Sequence, residues 1–147
     1  MQTEPFLILL VEDDPAHTEI VRRNFEKFKT ATQLIALSDG QAALDYLFRR
    51  NGYSDPAASP RPGIILLDLR LPKVDGLQVL KSVKDEPSLQ QIPVVILTTS
   101  ANETDVAKAY EYRANSYLVK PVDFSQFSEL LDVFGSYWLT WNQFYQP

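Results

Sequence analysis

A doubly wound α/β fold with a parallel sheet is what this sequence predicts, and three observations predict it. Short apolar runs alternate with helix-length amphipathic stretches from Phe6 to Val133, the pattern of a parallel sheet with right-handed helical crossovers. The best of the runs, Phe6 to Val11 and Ile64 to Leu67, are continuously apolar, as strands covered on both faces are. The runs also stop at chemically active residues: Glu12-Asp13-Asp14, Asp68, Thr98-Thr99-Ser100 and Lys120-Pro121. In a parallel sheet such stops converge at one edge, where ligands of this fold class bind.

Phe6 to Val11 is the first strand. Asp14 followed by Pro15 is a helix start, with an acceptor at the cap and proline in the first turn. Ile20, Val21, Asn24, Phe25 and Phe28 mark the inner face of that helix. Thr32 to Leu37 reads as a second, more exposed strand. Ser38 or Asp39 caps a helix that buries Ala42, Ala43, Leu44, Leu47 and Phe48. Asn51 to Pro62 carries Gly52, Pro56, Pro60 and Pro62 and reads as a loop. Gly63 to Asp68 is the central strand. Val74 to Lys84 is a short helix with Leu77, Leu80 and Val83 inward, and Asp75-Gly76 is a turn or cap signal. Ile92 to Leu97 is a strand whose Pro93 sits at the start, where a missing donor is tolerated. Glu103 to Arg113 is a helix with Val106, Ala107 and Tyr110 as its stripe. Ser116 to Val119 is the last strand, and Asp123 or Ser125 opens the final helix, with Phe127, Leu130 and Leu131 inward.

The 147 residues fit a single domain with a real core, and 45% of them are apolar. A formal charge of -5 argues against a nucleic-acid surface. No cysteine is present, so thiol chemistry is excluded. The N-terminal apolar run is too short for a signal peptide or a membrane span, and a cytoplasmic protein is expected.

Glu12, Asp13 and Asp68 would meet at the carboxyl edge of the sheet. Carboxylates packed together repel unless something positive lies among them. Mg²⁺ suits them: it takes oxygen ligands, keeps waters and binds through one or two carboxylates plus a phosphate. Lys120 supplies a second positive point and a phosphate contact. Thr98 offers a hydroxyl that can turn toward an anion. Asp68, flanked by all of these, is the expected nucleophile. An acid after an apolar run is often a plain helix cap, and that is the better account of Asp14. The same bland account would have to hold at Asp13, Asp68 and Lys120 together. His17, the single histidine, is expected at the surface near the start of the first helix.

In these motifs the chain resembles the receiver domains of bacterial two-component response regulators. The likeness runs from Phe6 to about Val133. Its carriers are Glu12-Asp13, Asp68 within the run Leu66 to Pro72, Asp75-Gly76, Thr98, Tyr117 and Lys120-Pro121. The resemblance implies a flavodoxin-like (β/α)5 fold with strand order 2-1-3-4-5. It implies phosphorylation at Asp68, and metal ligation by Asp13, Asp68 and the backbone carbonyl of Arg70, with Glu12 acting through water. It implies Thr98 and Tyr117 as a switch pair, and a phosphoryl acceptor rather than an enzyme with turnover. A narrower likeness lies in the proline-bearing loop, the Leu97 to Ser100 run and the aromatic C-terminus. These resemble single-domain regulators of cyanobacterial-type phytochrome histidine kinases, which implies a phytochrome-type sensor kinase as partner. Arg70 departs from that subgroup, which commonly has asparagine there.

Three rival readings fit these residues less well. A scaffold receiver that works without phosphorylation would not need every charged site residue. A small-molecule phosphatase would need a general acid and a substrate cap. A flavin module would not tolerate the acids after Val11. Beyond Val133 the receiver core should be complete, and residues 134–147 read as an aromatic extension of the last helix. Phe134, Tyr137, Trp138, Trp141, Phe144 and Tyr145 step mostly by three or four residues. They are expected to pair two copies of the chain, with Trp138 and Trp141 as anchors and the stripe adjoining the switching face, the alternatives being that the stripe folds onto its own core or docks a kinase. No DNA-binding segment follows, so output is expected through protein contacts.

Overall fold

The structure, a computed structural model, describes residues 6–28 and 32–144. Five parallel strands, β1 (Phe6–Val11), β2 (Thr32–Leu37), β3 (Ile64–Leu67), β4 (Val94–Thr98) and β5 (Ser116–Val119), form one sheet in the order β2-β1-β3-β4-β5. Between and after them run α1 (Pro15–Phe25), α2 (Gly40–Phe48), α3 (Gly76–Asp85), α4 (Glu103–Glu111) and α5 (Phe124–Gly135). This is the expected flavodoxin-like topology. The proline-bearing loop contains two short 3₁₀ turns, Asn51–Tyr53 and Pro56–Ala58. No helix among the described residues is long and apolar enough to cross a membrane.

Strand side chains alternate between two apolar layers. Leu9, Val11, Ile65, Leu67, Val94 and Ile96 face a cluster completed by α2, α3 and α4. Ile8, Leu10, Ile64, Leu66, Val95 and Leu97 face Val21 and Phe25 of α1 and Phe127, Leu131 and Phe134 of α5. The continuous hydrophobicity of β1 and β3 follows from burial on both sides. Side-chain caps start the helices: Asp14, Asp39, Asp75, Asn102 and Asp123 each accept a backbone N–H from the first turn.

Several details differ from the sequence expectations. Asp75 lies outside α3 because it caps it. Arg113, at φ 70°, falls beyond α4, which ends at Glu111. The inward stripe of α4 is rotated from the expected one: Ala109 and Asp105 are buried, while Tyr110 is half exposed. A polar residue holds an inward position there, so the apolar periodicity misplaced the face. Tyr46 was likewise missed; it is fully buried, its hydroxyl donating to the Pro60 carbonyl at 2.6 Å. Lys120–Pro121 is trans.

The core does not close at Val133. Phe134 is buried and stacks on Phe25 at 5.6 Å between ring centroids, and Leu139 is buried as well. Helix α5 continues as a π-helical segment, Ser136–Trp141, and the chain then turns back so that Phe144 packs on Phe6 at 4.5 Å. Trp138 lies between Phe134 and Phe144. Phe134, Trp138 and Phe144 therefore pack within their own chain. Tyr137 and Trp141 remain exposed, at 55% and 80%, and Tyr145 lies outside the described residues. Trp138 and Phe144 border a cleft of about 930 Å³ beside Phe6, Gly63 and Pro93. Those residues mark the amino edge of the sheet, so this part of the stripe lies opposite the acids.

At the same amino edge, Lys84 is buried, with no carboxylate paired to it among the described residues. Its ammonium donates to the carbonyls of Gln90 and Ile92 at 3.0 and 2.9 Å and to Asn115 Oδ1 at 3.1 Å. Burial, reinforced by nearby Arg113, brings its pKa down to about 8. The fold thus favours the neutral amine, whereas the unfolded chain holds its proton up to the ordinary lysine range. Between those limits the unfolded state binds more protons, so stability rises with pH. Burial raises the Glu12 carboxyl to about 8, which opposes the rise up to about that pH, and it raises the phenols of Tyr46 and Tyr117, which oppose it only above their ordinary range. Urea unfolding should show Lys84 contributing a gain of about 1–2 kcal/mol from about pH 7.5 to about pH 9.5, seen as the difference between wild type and Lys84→Met. Lys84→Met should lack it; an equal gain in that variant refutes the assignment.

Candidate functional site

The sheet's hydrogen bonding runs one residue past the strand ends and fixes the site residues in register. The Glu12 N–H donates to the Leu37 carbonyl at 2.9 Å, Asp68 N–H to Val11 at 3.1 Å, and Lys120 N–H to Thr98 at 2.7 Å. Glu12, Asp13 and Asp68 consequently converge, each offering a carboxylate oxygen within 4.8 Å of the others. Asp13 is exposed, whereas Glu12 and Asp68 are buried.

Lys120, also buried, reaches into this cluster from β5. Its Nζ lies 2.5 Å from Glu12 Oε1 and 3.0 Å from Asp68 Oδ2. Burial pushes the Glu12 carboxyl up to about 8, and its neighbour Asp68 adds to the rise while Lys120 opposes it. Asp68 moves the other way. Burial works against its charge, but the neighbouring Glu12 carboxyl and the positive charge of Lys120 outweigh it and hold the carboxyl below its ordinary range. The backbone N–H of Arg70 assists, donating to Asp68 Oδ1 at 3.2 Å. Of the buried pair, Asp68 is the carboxyl held toward its anionic form.

The residues fit a divalent cation. Three carboxylates gather beside one lysine, and Glu12 Oε2 is buried with no hydrogen-bond partner among the described residues. An all-oxygen donor set of this kind suits Mg²⁺ or Mn²⁺.

Thr98 ends β4 fully buried, and its Oγ1 accepts the Ser100 N–H at 3.4 Å. The Tyr117 hydroxyl donates to the Ser100 carbonyl at 2.8 Å. The Arg70 guanidinium is engaged by α4, its Nη2 donating to Asp105 Oδ2.

His17 corrects the expectation of a surface position. Its side chain is 29% exposed, and Nδ1 lies 2.9 Å from Glu12 Oε1 and 3.1 Å from Lys120 Nζ. The ring also meets Phe127 edge-on at 5.6 Å. A signal was available: Asp14 caps α1, so His17 occupies its first turn, directly beside the acids. Asp105 was missed too, and no local pattern announces it; Ser100 is marked in the sequence only as one of the hydroxyls that end the fourth strand.

Comparison with known proteins agrees with this geometry. Residues 8–132 match the response regulator receiver domain family. The chain is 44% identical over 140 residues to the probable methanogenesis regulatory protein FilR2 of Methanothrix harundinacea, covering 95% of this chain and 88% of FilR2. It is 45% identical over 138 residues to the response regulator Rcp1 of Synechocystis sp., covering 92% and 90%. The Mn²⁺-bound crystal structure of Rcp1 matches with a TM-score of 0.92 at 41% identity, over 97% of this chain and 100% of that one. The phosphorylated cyanobacterial phytochrome response regulator RcpA matches with a TM-score of 0.92 at 33% identity, over 97% and 100%. The chain belongs to the response regulator receiver domain family.

Proposed function

We propose that this receiver takes a phosphoryl group from the phosphohistidine of a sensor histidine kinase onto Asp68. The Asp68 carboxylate attacks phosphorus, an O–P bond forms, and the N–P bond breaks to release the imidazole. The observation that carries this reading is the buried Lys120 ammonium 3.0 Å from Asp68 Oδ2 beside two further carboxylates. Lys120 pairs with the arriving phosphoryl oxygens. Asp13, Asp68 and the Arg70 carbonyl would hold Mg²⁺, with Glu12 acting through water. The ion supplies charge neutralisation for phosphoryl oxygens.

In this reading Thr98 turns toward the phosphoryl oxygen, Tyr117 turns inward, and α4, β5 and α5 pass the change on by protein contact. The chain acts as an acceptor in the cytoplasm, without turnover of other substrates. The full-length likeness to RcpA supports a phytochrome-type kinase as donor. Residues 1–147 then work as one receiver with its aromatic extension, and two copies pair through the exposed Tyr137 and Trp141.

The protein with a small phosphodonor and Mg²⁺ should gain the mass of one phosphoryl group, and chelation or Asp68→Ala should abolish the gain. A gain that survives Asp68→Ala removes the assignment. Sedimentation of the same samples reads the pairing. Tyr137→Ala with Trp141→Ala should leave a monomer, and a wild type that is already monomeric in both states ends that part of the proposal.

A further inference from the structure

Arg70 follows the proposed acceptor by two residues, and its two ends serve different parts of the fold. The backbone N–H donates to Asp68 Oδ1. The guanidinium crosses to α4 and donates from Nη2 to Asp105 Oδ2 at 2.5 Å. The same oxygen of Asp105 accepts the Ser100 hydroxyl at 2.6 Å. Ser100 is also the meeting point of the two switch candidates. Its N–H donates to Thr98 Oγ1, and its carbonyl accepts the Tyr117 hydroxyl. One carboxylate therefore joins the acceptor's neighbour to the loop after β4 and to the aromatic of β5.

An acid in the first turn of α4 has an ordinary explanation in the helix dipole. That explanation fits Glu103, which is exposed on the same turn. It does not explain why Asp105 is 9% exposed and shared between an arginine and a serine. The two partners also differ in environment. The Arg70 side chain is 63% exposed and that of Asp105 12%. An arginine so exposed gains little from a single carboxylate. A phosphoryl group offers it a higher charge and several acceptor oxygens in a forked arrangement. The guanidinium can therefore be exchanged, and Asp105, being nearly buried, is the group that feels its departure.

We propose that Asp105 is a positioning residue that competes with the phosphoryl group for the Arg70 guanidinium. The proposal rests on Asp68 being the acceptor. Before phosphorylation, Asp105 holds Arg70 at the rim of the site. When the phosphoryl group arrives, Arg70 swings to it by rotamer change, and its backbone N–H stays near Asp68. Asp105 is left with the Ser100 hydroxyl and no cation. The first turn of α4 and the loop after β4 then shift to hydrate it, which loosens the Ser100 carbonyl from the Tyr117 hydroxyl. Asp105 in this way sets how tightly the site holds a phosphoryl group and ties that event to the loop carrying Thr98 and Ser100.

The test uses the full chain with Mg²⁺ and beryllium fluoride as the phosphoryl mimic, its affinity read by fluorine NMR. Wild type, Asp105→Asn, Arg70→Gln and the double variant are compared, with Asp68→Ala as the blank. Asp105→Asn should bind about five-fold tighter or more, the usual scale of such coupling. In the Arg70→Gln background the same change should have no effect, because there is no guanidinium to release. A merely structural role for Asp105 would shift affinity equally in both backgrounds, and that additivity overturns the proposal. Weaker binding by Asp105→Asn also overturns it. Arg70→Gln alone should weaken binding several-fold. Since it alters an exposed side chain, it decides the matter even if Asp105→Asn does not fold; unchanged affinity there overturns the proposal. No bound signal in the wild type removes the acceptor reading itself, and this inference with it.

Discussion

Lys120→Met should slow phosphorylation of Asp68 from a small phosphodonor by about two to three orders of magnitude, the usual cost of losing one preorganised charge-stabilising donor. The lysine side chain is 3% exposed and its ammonium already lies at hydrogen-bond distance from Asp68. No reorganisation is needed to meet a phosphoryl oxygen there, and little water competes for it. Methionine keeps most of the unbranched apolar stem and removes the ammonium with its charge and its donors. The fold should survive, because burial already favours the protonated form of Glu12 and one acid of the pair can stay neutral. Initial rates of mass gain with saturating Mg²⁺ measure the effect. A variant phosphorylated within about two-fold of wild type would show that Lys120 does not stabilise the transferring group.

The residues in that argument were legible because each terminates a hydrophobic strand. A run such as Ile64 to Leu67 can be read as buried on both faces without any tertiary knowledge, and the parallel arrangement then brings Asp13, Asp68 and Lys120 together. The helix caps were legible for a similar reason: Asp14 before Pro15 is a local signal. What escaped depends on contacts between distant parts of the chain. Asp105 meets Arg70 across 35 positions, and as an inward polar residue it also disguised the buried face of α4. The aromatic tail escaped because the pattern of Phe134, Trp138 and Phe144 is equally that of an interface or of a core. The stacking of Phe134 on Phe25 and the return of Phe144 onto Phe6 distinguish the two. His17 was misjudged from its place in the sequence, since a first-turn helix residue is surface in most settings but here faces the strand ends.

Gly76→Ala should destabilise the protein by about 3 kcal/mol, at the upper end for an overpacked site, and displace the acceptor as well. The sequence marks Gly76 only as part of a turn signal, but its backbone packs directly behind Asp68. A Cβ there would fall 2.0 Å from the Asp68 carbonyl oxygen and 2.7 Å from the Leu69 Cα. These are backbone atoms, so no side-chain rotation relieves the clash. Either α3 moves away from the sheet or the Asp68–Leu69 segment shifts. The hydrogen bond from the Gly76 N–H to the Leu69 carbonyl, at 2.9 Å, ties the two movements together. Alanine's better helix propensity, at most about 1 kcal/mol, offsets only part of the cost. Gly52 is the control: nothing lies within 4 Å of its Cβ position, and Gly52→Ala should be close to neutral. Urea unfolding compares stabilities, and the phosphorylation rate reports the position of Asp68. In Gly76→Ala both should fall, because the same displaced segment carries the carboxylate. A variant that loses stability but keeps the wild-type rate would show that α3 yields and the acceptor stays in place. Wild-type stability would show that the close approach behind Asp68 is not a constraint.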